Sequence, residues 1–594
     1  MIYYKLMNLL LFFSFIPLVY LLSYLPGRIL VQILPLDYKV KFASSFGISF
    51  FLYFLASYLS YIFRIPYQYI ILSISVFLAV ATIIIIHYRP WIPSKEEIRL
   101  IIIFFLAFFF VICIQSLIPY YSGAKLYWDW YEHFVRSQIF YNHLPEFTRF
   151  GGLLLPQRMP LFNAAASFLM FIFGSDFWAY QTIATMLNII VLLPCYLILS
   201  RFTSTYTQTS LFIFLTILFL LNPYINALLI TYAATKTLAT YYVLMGLYFF
   251  FILIKNNKTI FIYLSMIFLS FAHLVHFIVL PYIFVTAFLL FIYTIRKKFL
   301  IHFFISMLIY IGIISIWYTW SYKTYGSSLT FFSNRNIEKV ASMSYSQRFD
   351  LIKHNVFYTS IPFISKEYFD ATFNNINYPV MLYDRIITFY STNIPLALTL
   401  NIFLSSIIII LFGIRRKFLE KSYTYSFKFE YFIIFLFVIS GYSHALYTTE
   451  FSDSGGAHWM MVPSVFLLFS LGSIALIKLA RKIGKIYIIF AVLLISAESL
   501  IGIGYKLYVA KYELDPKINT KINVTRDLLS LPEYLRYTNF AVHLQNYKLK
   551  TDNRLIFLYD RFLDIQPLLI LIIISGWVGL LLLYTKILNK RNLS

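Results

Sequence analysis

Trp128, Asp129, Trp130, Tyr131, Glu132 and His133 stand together at the head of a polar stretch between Tyr121 and Pro160, inside a chain that is otherwise apolar for long runs. On a helix, Asp129, Glu132, His133 and Arg136 fall at i, i+3, i+4 and i+7, which is one face. A carboxylate on that face could take the proton from a hydroxyl as a general base, or share a metal ion with its neighbours. The alternative is an aromatic belt at headgroup depth, with Trp128, Trp130 and Tyr131 anchored and the charges solvated. The same stretch continues through Arg149-Phe150-Gly151-Gly152 to Pro156-Gln157-Arg158-Met159-Pro160. Its glycines and prolines shape a non-helical backbone, and guanidinium forks suit phosphate oxygens or anionic headgroups.

Four further places carry polar groups out of keeping with their surroundings. Glu450 to His458 enters an apolar run, with Asp453, Gly455-Gly456 and His458 as its notable residues; a plain hairpin would explain it as well. Lys236 stands between two apolar runs, as a phosphate contact or a snorkelling lysine. His273 and His276 are three residues apart, facing a cavity or serving the packing, with no third metal ligand nearby. His444 and Glu498 lie within apolar runs.

The elements that must position these groups follow from composition. Of 594 residues, 61% are hydrophobic and 12% charged, against about 25% charged in a soluble domain. Mean hydropathy is +0.78. Many runs reach the roughly 20 apolar residues that a helix needs to cross a bilayer, and lipid leaves backbone groups no partners outside a helix. The expected class is an all-α polytopic membrane protein with about 13–15 transmembrane helices. Candidate spans run over 7–24, 43–63, 69–87, 100–120, 178–200, 208–230, 237–254, 259–278, 279–295, 301–320, 391–413, 431–447, 459–480, 485–504 and 567–585. Leu161 to Gly174 is too short to span and is expected as an interfacial helix.

The net charge of +24 follows topology. Lys and Arg gather in short loops, such as Arg296-Lys297-Lys298 and Arg415-Arg416-Lys417, which the positive-inside rule places in the cytoplasm. That assignment leaves no basic surface for nucleic acid and makes membrane lipids the partner of these clusters. It also puts 121–177, 321–390, 448–458 and 505–566 together on the external side, the last with a glycosylation sequon at Asn523-Val524-Thr525. Cys113 and Cys195 both fall in apolar runs and imply no disulfide framework. The lysine and apolar run at the N-terminus lack a small-residue cleavage site, so an uncleaved first helix is expected. The organisation is then extra N-terminal helices (1–99), a central module with the large loop (100–320), an external loop (321–390), C-terminal helices (391–504), a second external loop (505–566) and a last helix with a basic tail (567–594).

On these residues the chain resembles the GT-C superfamily of integral-membrane glycosyltransferases, nearest to the protein O-mannosyltransferase and lipid A aminoarabinose transferase group. Asp129, less closely Glu132, is similar to the family's early acidic residue. Gln157-Arg158-Met159-Pro160-Leu161 looks like its second loop motif, and Phe173-Gly174 like the end of the interfacial helix. Leu221-Asn222-Pro223 through Lys236, and His458 to Pro463, resemble later motifs. Gln157 stands where the aminoarabinose transferases have Glu, and Met159 replaces a Pro. Three extra spans, within 1–99, precede the module that carries the loop, where the family has one span before it.

The resemblance implies transfer of a sugar from a polyprenyl-phosphate donor to a lipid-linked or protein acceptor, on the extracytoplasmic face of the plasma membrane. Asp129 would be the base, with Glu132 beside it. Arg149, Arg158, Lys236 and His458 would hold the donor phosphate, and His133, Gln157, His273 and His276 would line the substrate cavity. No nucleotide-sugar site is required; no cofactor is assigned, and a divalent metal is compatible with the residues. A transporter or flippase of lipid-linked glycans, and a surface polysaccharide polymerase or ligase, remain the alternatives.

Overall fold

The computed structural model of the chain describes residues 2–88, 93–118, 129–148, 154–203, 207–230, 235–331, 343–361, 379–413, 425–443, 457–513 and 556–589. Among these it is 89% helical with no strand. The helices that concern the site are α1 (Ile2–Val31), α2 (Tyr38–Phe63), α3 (Tyr67–Tyr88), α4 (Lys95–Gln115), α5 (Asp129–Tyr141), α6 (Leu161–Phe173), α7 (Phe177–Ile189), α8 (Leu192–Phe202), α9 (Gln208–Leu221), α10 (Pro223–Ile230), α11 (Thr235–Asn256), α12 (Ile260–Val275), α13 (Leu280–Arg296) and α14 (Leu300–Phe331). Eleven helices among the described residues are long and apolar enough to cross a membrane.

Over their described residues the fifteen expected spans fall on helix, but not all as straight spans. The run at 208–230 bends by 78° between α9 and α10. The reason is local. Pro223 cannot donate a backbone N–H, and the residue before it is pushed out of the α region. Asn222 then caps the new helix, its Oδ1 accepting from the N–H groups of Tyr224 and Ile225 at 2.8 and 3.1 Å. The runs at 259–278, 391–413 and 431–447 form shorter apolar helices.

Lipid tails are as apolar as leucine, so helices associate through close packing of small residues. On α2 that role falls to Ala43, Ser44, Ser45, Gly47, Ser49, Ala56, Ser57 and Ser60, all buried. Gly27 of α1 meets this face so closely that a Cβ there would collide with the Ser45 carbonyl. A buried ion pair ties α1 to α4, with Arg28 Nε 2.9 Å from Glu97 Oε1, and Tyr24 adds a hydroxyl to the same carboxylate.

The thirteen-residue α6 is enclosed by α2, α5 and α7. Residues 161–170 are buried on every side, so protein covers the polar groups that an interfacial helix would present to water. Asn163 meets His133, and Ser167 shares a hydrogen bond with Tyr67 at 2.8 Å. Gly174 ends the helix at φ 110, a conformation natural to glycine alone.

Candidate active site

Helix α5 forms as its sequence pattern requires, and its polar face turns inward. Glu132, His133 and Arg136 are all buried. Glu132 Oε1 lies 2.7 Å from Arg136 Nε, one turn away, and 3.3 Å from Arg158 Nε on the following turn. Arg158 also reaches the second oxygen of Glu132 from Nη2 at 3.4 Å. The remaining donors of Arg136 go to the carbonyls of Leu154 and Leu155 at 3.1–3.2 Å. A buried guanidinium is costly unless paired and fully hydrogen-bonded, and this one is fastened on both counts. Burial pulls the Arg136 pKa below its ordinary value, and the Glu132 charge opposes that pull.

The consequence is mechanical. Arg136 staples residues 154–157 to α5, and Glu132 orients Arg158, whose side chain keeps 30% of its exposure. The turn at Leu155–Gln157 is closed by Gln157, whose Oε1 accepts from the Leu154 N–H at 2.6 Å. Arg158 is thereby held at the end of this turn by both oxygens of the Glu132 carboxylate.

Beside this turn lies a cavity of about 580 Å³. Pro156, Gln157 and Met159 form one wall, and His273 with Tyr318 forms another. His273 is fixed by two tyrosine hydroxyls, Tyr310 at Nδ1 (2.7 Å) and Tyr318 at Nε2 (2.9 Å). The rest of the lining is apolar apart from Ser315 and Thr330, and Leu280, Ile311 and Phe331 are 41%, 49% and 52% exposed. Exposed apolar side chains of α13 and α14 edge this cavity, while His273 lies buried in its wall. That gradient fits a molecule with a hydrocarbon tail and a polar head.

The expected site residues are therefore distributed unevenly. Glu132 and Arg158 are in direct contact, and Gln157 and His273 share the cavity. His133 and His276 were expected to line it and are not among its described lining. His133 instead points Nδ1 at Asn163 Oδ1, 3.1 Å away in α6. The Nδ1 of His276 accepts the Ile278 N–H at 3.1 Å and caps the short turn at Phe277–Val279. Lys236 is the second residue of α11 and half-buried. Arg149 lies outside the described residues, as do the side chains of Asp129 and His458, whose backbones open α5 and the helix Ala457–Ile483. Asp453, His444 and the sequon are outside them too. Among the described residues, no three His, Cys, Asp or Glu side chains gather as metal ligands would. The two cysteines are buried and free.

Four contributors lie beyond the residues expected from the sequence. Arg136 lies on the expected face but was given no role. Asn163 is the lone amide in an apolar helix, a signal that was legible. Tyr310 and Tyr318 are two of 51 tyrosines, with nothing in the sequence to mark them.

Fold and composition define an all-α, polytopic integral membrane protein. No family model and no curated protein matches the chain. Among solved structures it is similar to ArnT from Cupriavidus metallidurans in the apo state, at 12% identity over 81% of this chain and 73% of that one, with a TM-score of 0.41. It is similar also to ArnT from the same organism bound to undecaprenyl phosphate, at 11% identity over 82% and 75% of the two chains, with a TM-score of 0.42.

Proposed function

We propose that this protein is a membrane glycosyltransferase of GT-C type that takes its sugar from a polyprenyl phosphate and works at the extracytoplasmic end of its helices. The observation that carries the reading is the cavity itself: a largely apolar, exposed edge on α13 and α14 leading to Gln157, His273 and Tyr318, with Arg158 next in sequence to Gln157 and held by Glu132. A polyprenyl chain would enter sideways from the bilayer, and its phosphate would stop at the polar end.

In this reading the Asp129 carboxylate accepts the proton of an acceptor hydroxyl. The acceptor oxygen bonds to the anomeric carbon as the bond from that carbon to the phosphate oxygen breaks. The electron pair leaves with the phosphate, and the carbon inverts. Charge grows on the departing phosphate, so preorganised cations dominate the lowering of the barrier. Arg158 is the first of these, with Arg149, Lys236 and His458 as further contributors. Glu132, facing two guanidiniums, serves as a positioning residue for Arg158. The acceptor is a lipid-linked or protein hydroxyl.

Asp129→Asn in membranes supplied with labelled polyprenyl-phosphate sugar tests the base. Transfer should fall by roughly 10²–10⁴, and near-unchanged transfer would remove Asp129 from the role. A second reading, transport of a lipid-linked glycan, draws on the bent α9–α10 pair and on Glu498, buried where its helix runs into a π-helical stretch at Leu500–Tyr505. Broken helices and intramembrane carboxylates are features of transporters. Label recovered across the membrane without a covalently modified acceptor would favour it.

A further inference from the structure

A second cavity, of about 290 Å³, lies where the α2–α3 turn meets the end of α5 and the flank of α6. Tyr67, Tyr141 and Phe171 supply its aromatic surface. The Tyr67 and Phe171 rings stack with centroids 4.9 Å apart and planes within 19°, and Tyr141 is near-parallel to Tyr67 at 6.5 Å. Arg64, Gln68 and His143 supply the polar edge. His143 Nε2 is 2.9 Å from Ser60 Oγ, and Arg64 both bonds to the His143 carbonyl and pairs with Glu146 at 2.5 Å.

We infer that this cavity is a binding site for one neutral sugar ring of a glycan, separate from the Glu132–Arg158 site. A pyranose has an apolar face of C–H groups and a rim of hydroxyls that both donate and accept. The partly exposed rings of Tyr141 and Phe171, edged by a guanidinium, an amide and an imidazole, match both parts. The volume is at the small end of ligand pockets, which run from ~300 to 1,000 Å³, so it suits one ring and not an acyl chain. Charge decides against a phosphate. Glu146 offsets Arg64, and burial lowers the His143 pKa from its ordinary value, so the imidazole is uncharged at neutral pH. Arg64 and His143 hold positive φ, 55° and 48°, as the residues that end α2 and α5 and so fix the edge of the cavity.

Nine residues of α5 separate Glu132 from Tyr141, roughly 14 Å at the α-helical rise. A short oligosaccharide bridges that distance. If the transferase reading holds, the acceptor is then a glycan-bearing molecule gripped by a ring remote from the reacting hydroxyl; the binding itself does not depend on that reading.

The test is saturation-transfer NMR on the purified full chain in nanodiscs, with a mixture of the methyl pyranosides of glucose, galactose, mannose and N-acetylglucosamine. Wild type should transfer saturation to ring C–H protons of at least one of them. Tyr141→Ala should weaken that binding roughly tenfold, the loss of one aromatic contact, and the exposed Gln68→Ala should weaken it too, with thermal unfolding of both variants near wild type. Absence of any transfer, an unchanged signal in Tyr141→Ala, or displacement by inorganic phosphate would each overturn the proposal, the last by making this an anion site. Loss of glycosyl transfer in Asp129→Asn, or its absence in wild type, leaves these readouts untouched.

Discussion

Glu132 and Arg136 sit one turn apart on α5 with Oε1 and Nε 2.7 Å from each other, the side chains only 5% and 1% exposed. A pair so deep is no evidence of net stability, because desolvation consumes most of its Coulombic gain. Its value here is positional. The carboxylate orients Arg158, and the guanidinium holds the carbonyls of Leu154 and Leu155.

Breaking the pair from one side should therefore be costly. Glu132→Gln leaves Arg136 buried without its counter-charge, and the expected loss is about 3–5 kcal/mol, read as a lower unfolding temperature in detergent. Glu132→Gln combined with Arg136→Met removes both charges and should recover much of that loss. The double variant should stay catalytically poor all the same, because Arg158 has lost its partner.

The exposed apolar edge on α13 and α14 predicts a chain-length effect. Ile311→Trp narrows an opening that a long polyprenyl chain must enter from the side. Transfer from a long-chain donor should drop several-fold, while transfer from a short, water-dispersed analogue stays near wild type. Equal effects on both donors would place the entrance elsewhere.

His273 is held by two hydroxyls, and Tyr318 is the one that also lines the cavity. Tyr318→Phe leaves Nε2 without that partner, which costs about 1–3 kcal/mol when the group stays buried. The kinetic expectation is a rise in KM for the lipid donor larger than any fall in kcat, since the contact serves binding. Tyr310→Phe should lower stability with a smaller effect on KM.

How far the site was legible follows from the range of the interactions. The face shared by Glu132, His133 and Arg136 is a matter of helical period and could be read directly. The brevity of α6 was equally plain, and its lone Asn163 marked an inward polar contact. What the period could not supply was which helices enclose α6, or which of many tyrosines reaches His273 from α14. Those depend on contacts between residues tens of positions apart. The bend at Asn222-Pro223 had its local signal in the proline, masked by the uninterrupted apolar run on either side.

At the α2–α3 tip, pH should act through His143. Burial depresses its pKa below 6.5, with the Arg64 charge adding to the effect and the Ser60 contact opposing it. The folded state thus binds the proton less readily than the unfolded one, so stability is full above pH 6.5 and declines as pH falls through the folded-state value. Thermal unfolding followed between pH 7.5 and about 5 should show this decline in wild type, and less of it in His143→Gln.

The central claim is covalent transfer of a sugar at the cavity beside Arg158. It is met most directly by giving the purified chain, in nanodiscs with a membrane extract as acceptor source, a polyprenyl phosphate carrying a labelled sugar, and comparing wild type with Arg158→Ala. The account predicts label bound covalently to an acceptor in wild type and a loss of roughly 10²–10³ in Arg158→Ala, as when one preorganised donor to a developing anion is removed. Equal transfer by both proteins, or label that crosses the membrane without ever leaving its polyprenyl carrier, would contradict it.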